Sequence, residues 1–263
     1  MSKSGYYKSI NREPSLQAIR KEEVCKEIVR VHNESHQIYG APKIAEILKN
    51  TESKTSVRTI TNYMRELDIS ACYIKKKTKT TITKGIHDEL KNVLKREFNP
   101  PKPNCVWVTD ITYVWTKDGF VYLTSIMDLY SRKIIAWDVS DSLSLQSVIK
   151  CVTIAKQRRI TDNALIIHSD RGVQYTSKDY QNETMDFILS YSRKGNPWDN
   201  ACIESFHSLI KREWLNRYKI RDINHASQLC FEYIETFYNT VRIHSHNGYI
   251  SPNDAEKISS LSS

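Results

Sequence analysis

Residues 105–115 read CVWVTDITYVW, and stretches of the same character follow at 120–131 (FVYLTSIMDLYS) and 133–141 (KIIAWDVSD). All three are rich in β-branched and aromatic side chains, which favour strands over helices. Short polar segments separate them, Lys117-Asp118-Gly119 first and Ser131-Arg132 second. The pattern predicts an antiparallel meander of three strands.

The elements predicted downstream alternate between helix and strand. We expect a helix at about 144–158, a buried strand in ALIIHSD (164–170), a helix near 177–186 and a strand near 188–193. A long helix, NACIESFHSLIKREWLNRY (200–218), follows with Asp199 or Asn200 as its cap, then a last helix over about 224–241 and a loop containing Gly248 and Pro252. This order is typical of a ribonuclease-H-like, retroviral-integrase-like α/β core with C-terminal helices.

The front of the chain is predicted to be helical. Apolar spacing indicates helices over 14–36, within YGAPKIAEILKN (39–50) and after Ser56, a candidate N-cap. In the third helix Val57, Ile60, Met64 and Leu67 would bury one face, which leaves a polar face of Arg58, Thr61, Asn62 and Arg65. That face suits a DNA-binding helix-turn-helix, although small trihelical units also serve as plain packing modules.

Basic residues are concentrated in this front part. Residues 1–104 hold 21 Lys+Arg and 12 Asp+Glu (21 − 12 = +9), whereas 105–263 hold 18 of each. The excess includes the run Lys75, Lys76 and Lys77 in a basic linker at 73–85, which a helix at 86–98 follows. Such a block either binds a polyanion such as nucleic acid or acts as a solubilising segment. We divide the chain into a helix-turn-helix-like region (1–72), a basic linker and helix (73–104), a catalytic core (105–220) and a C-terminal helical extension (221–263).

Several classes of protein and site are excluded. No apolar run is long enough for a membrane span and the N-terminus lacks a signal-peptide core, so we expect a soluble cytoplasmic protein with no membrane partner. Six scattered cysteines without a CxxC pair indicate a reducing compartment. His32 and His36 have the spacing of half a zinc site, but nothing completes it. We interpret them as solvent-facing helix residues and predict no zinc.

Three acidic residues stand on separate elements of the predicted core: Asp110 within the first strand, Asp170 just past the fourth, and Glu204 on the long helix. Taken singly, each could be a turn, ion-pair or solvated residue. In this fold the first and fourth strands lie side by side, so the three carboxylates can converge. Hard oxygen ligands of this kind hold two magnesium or manganese ions for phosphoryl transfer. Lys211 lies two helical turns beyond Glu204, about 10 Å along the same face, where it can grip a phosphate.

The motifs WVTDITYV, HSDRGVQYTS, SRKGNPWDNACIESFHSLIKRE and FYNTVRIHSHNGYISP resemble, in sequence and order, the integrase-like transposases of bacterial insertion sequences. More narrowly they resemble the second open-reading-frame product of the IS3 family, and YGAPKIAEIL is similar to the helix-turn-helix segment of such products. The resemblance covers roughly residues 20–255. It implies a catalytic and metal-binding triad of Asp110, Asp170 and Glu204, with Lys211 as a DNA contact. We add Arg171 and Lys194, which lie in the same motifs, as candidate DNA contacts.

The resemblance further implies hydrolytic cleavage at element ends and joining of the freed 3′-hydroxyl to new DNA, through a circular intermediate. The expected partners are element-end and target double-stranded DNA, other copies in a homo-multimer, and the upstream reading-frame product as a fusion or partner. The chain begins at its own Met1, so it is expected to be the second product alone. A bacterial, nucleoid-associated location follows.

Two departures from the family pattern keep alternatives open. Between Asp170 and Glu204 lie 33 residues, slightly fewer than is usual in the family, with the shortfall near 181–189. This reflects natural variation or a deletion that shifts the glutamate helix. Asn247 stands where the family tends to have Leu. One rival function is a DNA-binding regulator or accessory subunit that does not cut. The other is a structure-selective nuclease of the same fold.

Overall fold

The computed structural model describes residues 14–73, 90–161 and 164–261, and the chain forms two compact units, Met1–Tyr73 and Ile74–Ser263. Within the described part of the chain, no helix combines the length and the apolar run needed to cross a bilayer.

The first unit consists of three helices, α1 (Leu16–Glu34), α2 (Ala41–Leu48) and α3 (Val57–Glu66). The prediction of Ser56 as an N-cap is confirmed, because its hydroxyl accepts a hydrogen bond from the Thr59 amide at 3.1 Å. A small core joins the helices and is formed by Val24, Ile28, Val31, Ile44, Leu48, Ile60 and Met64.

Two expectations for this unit are wrong. Only the middle of the apolar stripe on α3 is buried, whereas Val57 and Leu67 at its ends are exposed. His32 is buried, with its Nδ1 3.3 Å from the Tyr39 carbonyl oxygen, so it does not face solvent. The chain turns back after α1 through His36 and Gln37, both with positive φ, and that return brings Tyr39 over His32.

The second unit is built on a five-stranded mixed sheet. The strands are β1 (Val106–Thr116), β2 (Gly119–Asp128), β3 (Ile134–Ser140), β4 (Ile166–Ser169) and β5 (Ile188–Tyr191), in the order β3-β2-β1-β4-β5. The first three pair antiparallel, as the meander predicts, and β4 and β5 join β1 in parallel.

Helices cover both faces of the sheet. These are α4 (Leu145–Arg158), α5 (Lys178–Glu183), α6 (Ala201–Glu213), α7 (Ile223–Phe231, with a π-helical continuation over Glu232–Tyr238) and α8 (Pro252–Leu261). The face bearing Trp107 and Ile126 packs with α4 in one apolar core. The opposite face contacts α6, through side chains at the candidate site.

The helix predicted at 86–98 is wrong for its described part, because residues 90–98 are not helical. The Ser190 hydroxyl on β5 accepts hydrogen bonds from the Val93 and Leu94 amides, and the Tyr191 amide donates to the Lys91 carbonyl. These long-range contacts hold the segment against β5, so the local helical preference does not decide its conformation.

The C-terminal part also differs from expectation. Helix α6 ends at Glu213, earlier than predicted, and a short 3₁₀ turn follows at Leu215–Arg217. Helix α8 was not predicted. It is held through Glu256, which accepts hydrogen bonds from the side chains of Ser131, Lys133 and Arg159. Asn247, the departure from the family, donates to the Ser131 carbonyl at 2.7 Å, so the amide fixes the loop before this helix.

Candidate active site

Strand register places Asp110 and Asp170 next to each other. In the parallel pair of β1 and β4, Val108 lies opposite His168, and each aspartate follows two residues later on its own chain. The Asp170 carboxylate accepts a hydrogen bond from the Gly172 amide at 2.9 Å. A side chain at Gly172 would put a Cβ 3.0 Å from the same Asp170 oxygen, so the carboxylate would have to shift by a few tenths of an ångström. The carboxylate is therefore held at the end of β4.

Glu204 shares the electrostatic environment of the two aspartates. Partial desolvation by the surrounding protein, and then the charge of Asp110, raise the pKa of Asp170 to about 6. Desolvation followed by the charges of Asp110 and Asp170 also raises the pKa of Glu204. Like charges close together make each ionised form costlier. The charges of both aspartates thus act on Glu204, and the segment with 33 residues between Asp170 and Glu204 keeps the full pairing of β4 with β5.

The arrangement is open. In residues 14–73, 90–161 and 164–261 no three His, Cys, Asp or Glu side chains form a ready-made metal-binding group. Within those ranges Asp170 and Glu204 also make no ion pair with a Lys or Arg side chain. Within the described residues, the Asp170 and Glu204 carboxylates are therefore not compensated by a paired Lys or Arg side chain.

Sequence reasoning missed His207, which connects the helix of Glu204 to the strand of Asp110. It is buried, with Nδ1 3.4 Å from Asp110 Oδ2 and Nε2 3.3 Å from the Ser125 hydroxyl oxygen. Ser125 is the β2 residue directly opposite Asp110 in the sheet. His207 follows Glu204 by three residues, so it occupies nearly the same face of α6 one turn later. That spacing is the signal that could have revealed it.

Lys211 also lies beside β1. Its ammonium group donates to the Thr112 hydroxyl at 2.6 Å and sits 4.5 Å from the centre of the Tyr113 ring. Desolvation lowers the pKa of Lys211 to about 8, although the charge of Asp110 acts in the opposite direction. Because Thr112 follows Asp110 by two residues, Lys211 presents its charge on the Asp110 face of the strand.

The other predicted DNA contacts differ in their surroundings. Arg58, Asn62 and Arg65 are exposed along α3, and Lys194 is exposed in the turn before α6. The Arg171 guanidinium instead donates to the carbonyl oxygens of Ser192 and Leu90, which indicates a part in holding the loop together. The remaining three residues lie outside the described residues: Lys75, Lys76 and Lys77.

Just before α6, Asp199 forms a buried ion-pair cluster. Its carboxylate accepts hydrogen bonds from the side chains of Asn92, Arg96 and Arg193. The Arg193 side chain, as the largest influence, holds the pKa of Asp199 well below its ordinary value. Of the two predicted caps, Asn200 occupies the N-cap position of α6. Asn200 makes no capping hydrogen bond and donates instead to the Thr109 carbonyl at 3.2 Å, beside Asp110.

Behind the last turn of α6, Glu213 forms a second buried cluster with the C-terminal motif. It receives two hydrogen bonds from the Arg242 guanidinium, at 2.7 and 2.8 Å, and one from the Tyr233 hydroxyl at 2.6 Å. The amide of Asn239 bonds both the N–H and the carbonyl of Ile134 on β3. These residues of the closing motif fasten α6 and α7 to the sheet.

Comparisons with known proteins agree with this architecture. Two integrase core domain models match residues 100–197 and 185–252, and an HTH-like domain model matches residues 20–78. The chain is 37% identical over 253 residues to the transposase for insertion sequence element IS904 of Lactococcus lactis subsp. lactis, covering 95% of this chain and 100% of that protein. It is 32% identical to transposase InsF for insertion sequence IS3A of Escherichia coli, covering 97% of this chain and 90% of that one.

Among solved structures, the catalytic core domain of BIV integrase covers 60% of this chain and 97% of that chain, at a TM-score of 0.46 and 19% sequence identity. The family matches confirm the prediction of a ribonuclease-H-like, integrase-type α/β core with an HTH-like N-terminal region.

Proposed function

The chain belongs to the IS3-family transposases, and on that premise we propose that it cuts insertion-sequence DNA ends by metal-dependent hydrolysis and joins the 3′-hydroxyl to a new phosphodiester. The proposal rests on one observation above all. Strand pairing brings Asp110 on β1 and Asp170 at the end of β4 side by side, although they are 60 residues apart in sequence (170 − 110), and their charges raise the pKa of Glu204 on α6.

The donor set fits a divalent cation of the magnesium type. All three side chains offer only carboxylate oxygens, which hard cations prefer, and mutual repulsion of the carboxylates is what a bound cation relieves. We assign Asp110, Asp170 and Glu204 to hold a pair of such ions. When bound, two such ions supply activation of the attacking oxygen and stabilisation of the leaving one.

The chain's own residues supply positioning around that centre. His207 and Asn200 contact Asp110 and the neighbouring Thr109 carbonyl, respectively, so they hold β1 in register with α6. Lys211 is placed to bind a phosphate next to the carboxylates. At pH 7 it is mostly protonated, because its pKa of about 8 lies above that pH. The exposure of Asp170 and Glu204 leaves room for DNA to reach them.

We assign the first unit to DNA recognition, with the exposed residues of α3 as the contacts. We further propose that the chain forms a homo-multimer that joins two ends, that it works with the upstream reading-frame product as a fusion or partner, and that it is located at the bacterial nucleoid. We also propose the division into a DNA-binding region (1–72), a linker region (73–104), a catalytic core (105–220) and a C-terminal extension (221–263).

One observation favours the rival function of a DNA-binding regulator. A regulator that occupies element ends without cutting would need no metal site, and no ready-made metal group occurs among the described residues. The experiment incubates labelled element-end DNA and manganese with the protein, alone and fused to the upstream product. Nicking and strand joining that Asp110→Asn abolishes support the transposase. Tight binding without nicking by either form supports the regulator, and cutting indifferent to the end sequence supports a nuclease.

A further inference from the structure

An exposed group of aromatic rings lies at the far end of the strand that carries Asp110. Trp115 and Phe120 face each other across the β1–β2 hairpin and are 64% and 49% exposed. Their ring centres are 4.8 Å apart at an interplanar angle of 76°, and Phe120 makes a similar edge contact with Tyr113 at 5.4 Å. These contacts fix the ring orientations while leaving much of their surface in solvent.

Exposed basic residues lie in the hairpin turn and in the segment that pairs with it. The Lys117 amide donates to the Ile220 carbonyl, and this brings the hairpin turn beside the segment at 218–221. We define the hairpin surface as the exposed aromatic residues Trp115, Phe120 and Tyr218 together with the exposed basic residues Lys117, Lys219 and Arg221. Within the described residues of this surface, the exposed acid is Asp118 in the turn. Alternating rings and cations are typical of surfaces that bind single-stranded nucleic acid.

Side-chain contacts link the hairpin surface to the candidate active site, although Trp115 and Phe120 project from the sheet face opposite Asp110. Lys211 touches both Thr112 and the ring of Tyr113, and Tyr113 in turn contacts Phe120. Trp115 follows Asp110 by five residues, a distance of about 17 Å along an extended strand. An unpaired strand whose bases stay stacked, about 3.4 Å apart as in one strand of the duplex, spans that distance in about five nucleotides.

We propose that the hairpin surface binds unpaired bases of the DNA strand that leads away from the cut phosphate, with Trp115 stacking on a base about five nucleotides from it. The inference rests on the proposed cutting function, because it takes the position of the cut from Asp110. Stacked bases gain affinity from exposed rings whatever their sequence, and the cations hold the connecting phosphates. A second copy of the chain fits this surface less well, because cores of protein–protein interfaces are depleted in lysine.

The test measures binding without cutting, in full-length protein carrying Asp110→Asn, so that its outcome does not depend on catalysis. Element-end duplexes, either blunt or with an unpaired tail, carry 2-aminopurine at successive positions from the cut. We expect the fluorescence to change most near the fifth nucleotide of the tailed DNA. We also expect Trp115→Ala to remove that change and to weaken binding of tailed DNA about tenfold, with less effect on blunt DNA.

The matched control is Phe231→Ala, which removes another exposed ring, on α7, that is not one of the residues of the hairpin surface. It should leave both affinities unchanged, and Phe120→Ala should act like Trp115→Ala. Urea unfolding checks that each variant is folded. Equal binding of tailed DNA by Trp115→Ala and the parent, or a fluorescence profile with no maximum near the fifth position, would overturn the proposal. So would a loss of self-association in Trp115→Ala with DNA binding unchanged, since the surface would then join copies of the chain.

Discussion

The acidic side chains on and just before helix α6 have opposite surroundings. Before the helix and at its last turn, Asp199 and Glu213 are buried and paired with arginines. Near its first turn, Glu204 is exposed and close to two further carboxylates, and its pKa is raised. Acids with full partners hold a structure together, whereas acids that repel one another weaken it unless a cation binds. On and beside α6, the paired Asp199 and Glu213 therefore stabilise the fold, whereas Glu204 is the candidate metal ligand.

The largest expected effect is on cutting by Asp110→Asn. Loss of a carboxylate that holds a catalytic cation should remove several kcal/mol of transition-state stabilisation, a decrease of about a thousandfold or more in end cleavage. The thermal stability of the metal-free protein should not fall, because one repelling charge is gone. A gel assay of labelled ends and a melting curve measure the two effects. Asp141→Asn, which removes an exposed acid just past β3, is the control and should cut normally. Equal activity of the two variants would contradict the assignment.

A second large effect is expected on the stability of the fold, from the ion pair at the end of α6. Arg242→Met leaves the buried Glu213 charge without its main partner, which should lower the free energy of unfolding by about 3–5 kcal/mol. Urea denaturation measures the change. Lys257→Met breaks an ion pair with Asp254 whose side chains are largely exposed, so it should change stability by less than about 1 kcal/mol. Equal changes in the free energy of unfolding for the two variants would show that the Glu213–Arg242 pair contributes no more to stability than an exposed ion pair.

A smaller effect is expected from His207, which lies between the scaffold and the carboxylates. His207→Phe keeps the ring volume but cannot contact Asp110 and Ser125 through hydrogen bonds, so manganese affinity should fall about 10–100-fold. His207→Gln should recover part of that loss, and Ser125→Ala should produce a smaller loss of the same kind. Calorimetric titration with manganese measures affinity apart from activity. If Phe, Gln and His at this position bind manganese equally, His207 has no positioning role.

The smallest effect is a difference in pH dependence. The folded-state pKa of Asp170 is raised to about 6, above its ordinary value near 4, so the folded state binds its proton more tightly than the unfolded state. The stability contributed by this group therefore falls as pH rises between about 4 and 6. Asp199, whose pKa is lowered, contributes stability that is lost as pH falls below about 4.

Urea denaturation of the metal-free protein from pH 4.5 to 7.5 tests the Asp170 part of that difference. Asp170→Asn should gain stability relative to the wild type as pH rises toward about 6 and keep a constant advantage above that pH, because the variant lacks the repelling charge. Parallel curves for the two proteins would show that Asp170 does not titrate with a raised pKa.

The sheet and most of its helices could be predicted from the sequence because their signals are local. Alternating apolar residues, turn chemistry and the serine cap before α3 give the meander and the helix starts, and the order of elements then brings Asp110 and Asp170 together. The long helix supplied Glu204 and its helical spacing supplied Lys211, and the motif resemblance implies the same two residues. The contribution of each residue to chemistry stays a prediction.

Features that depend on distant contacts could not be predicted in this way. Residues 90–98 have helical composition, but Ser190 and Asp199 fix them in another conformation from about 100 residues away. His207 looks like any helix residue until the pairing of Asp110 with Ser125 is known. The burial of His32 follows from the return of the chain at Tyr39, which no periodicity encodes.

The most direct test of the central claim is the anomalous scattering of manganese in crystals of the protein soaked with Mn²⁺. We predict manganese density bounded by the side chains of Asp110, Asp170 and Glu204, with Glu204 turned toward the two aspartates. Manganese bound elsewhere, with Glu204 pointing into solvent away from both aspartates, would contradict the claim.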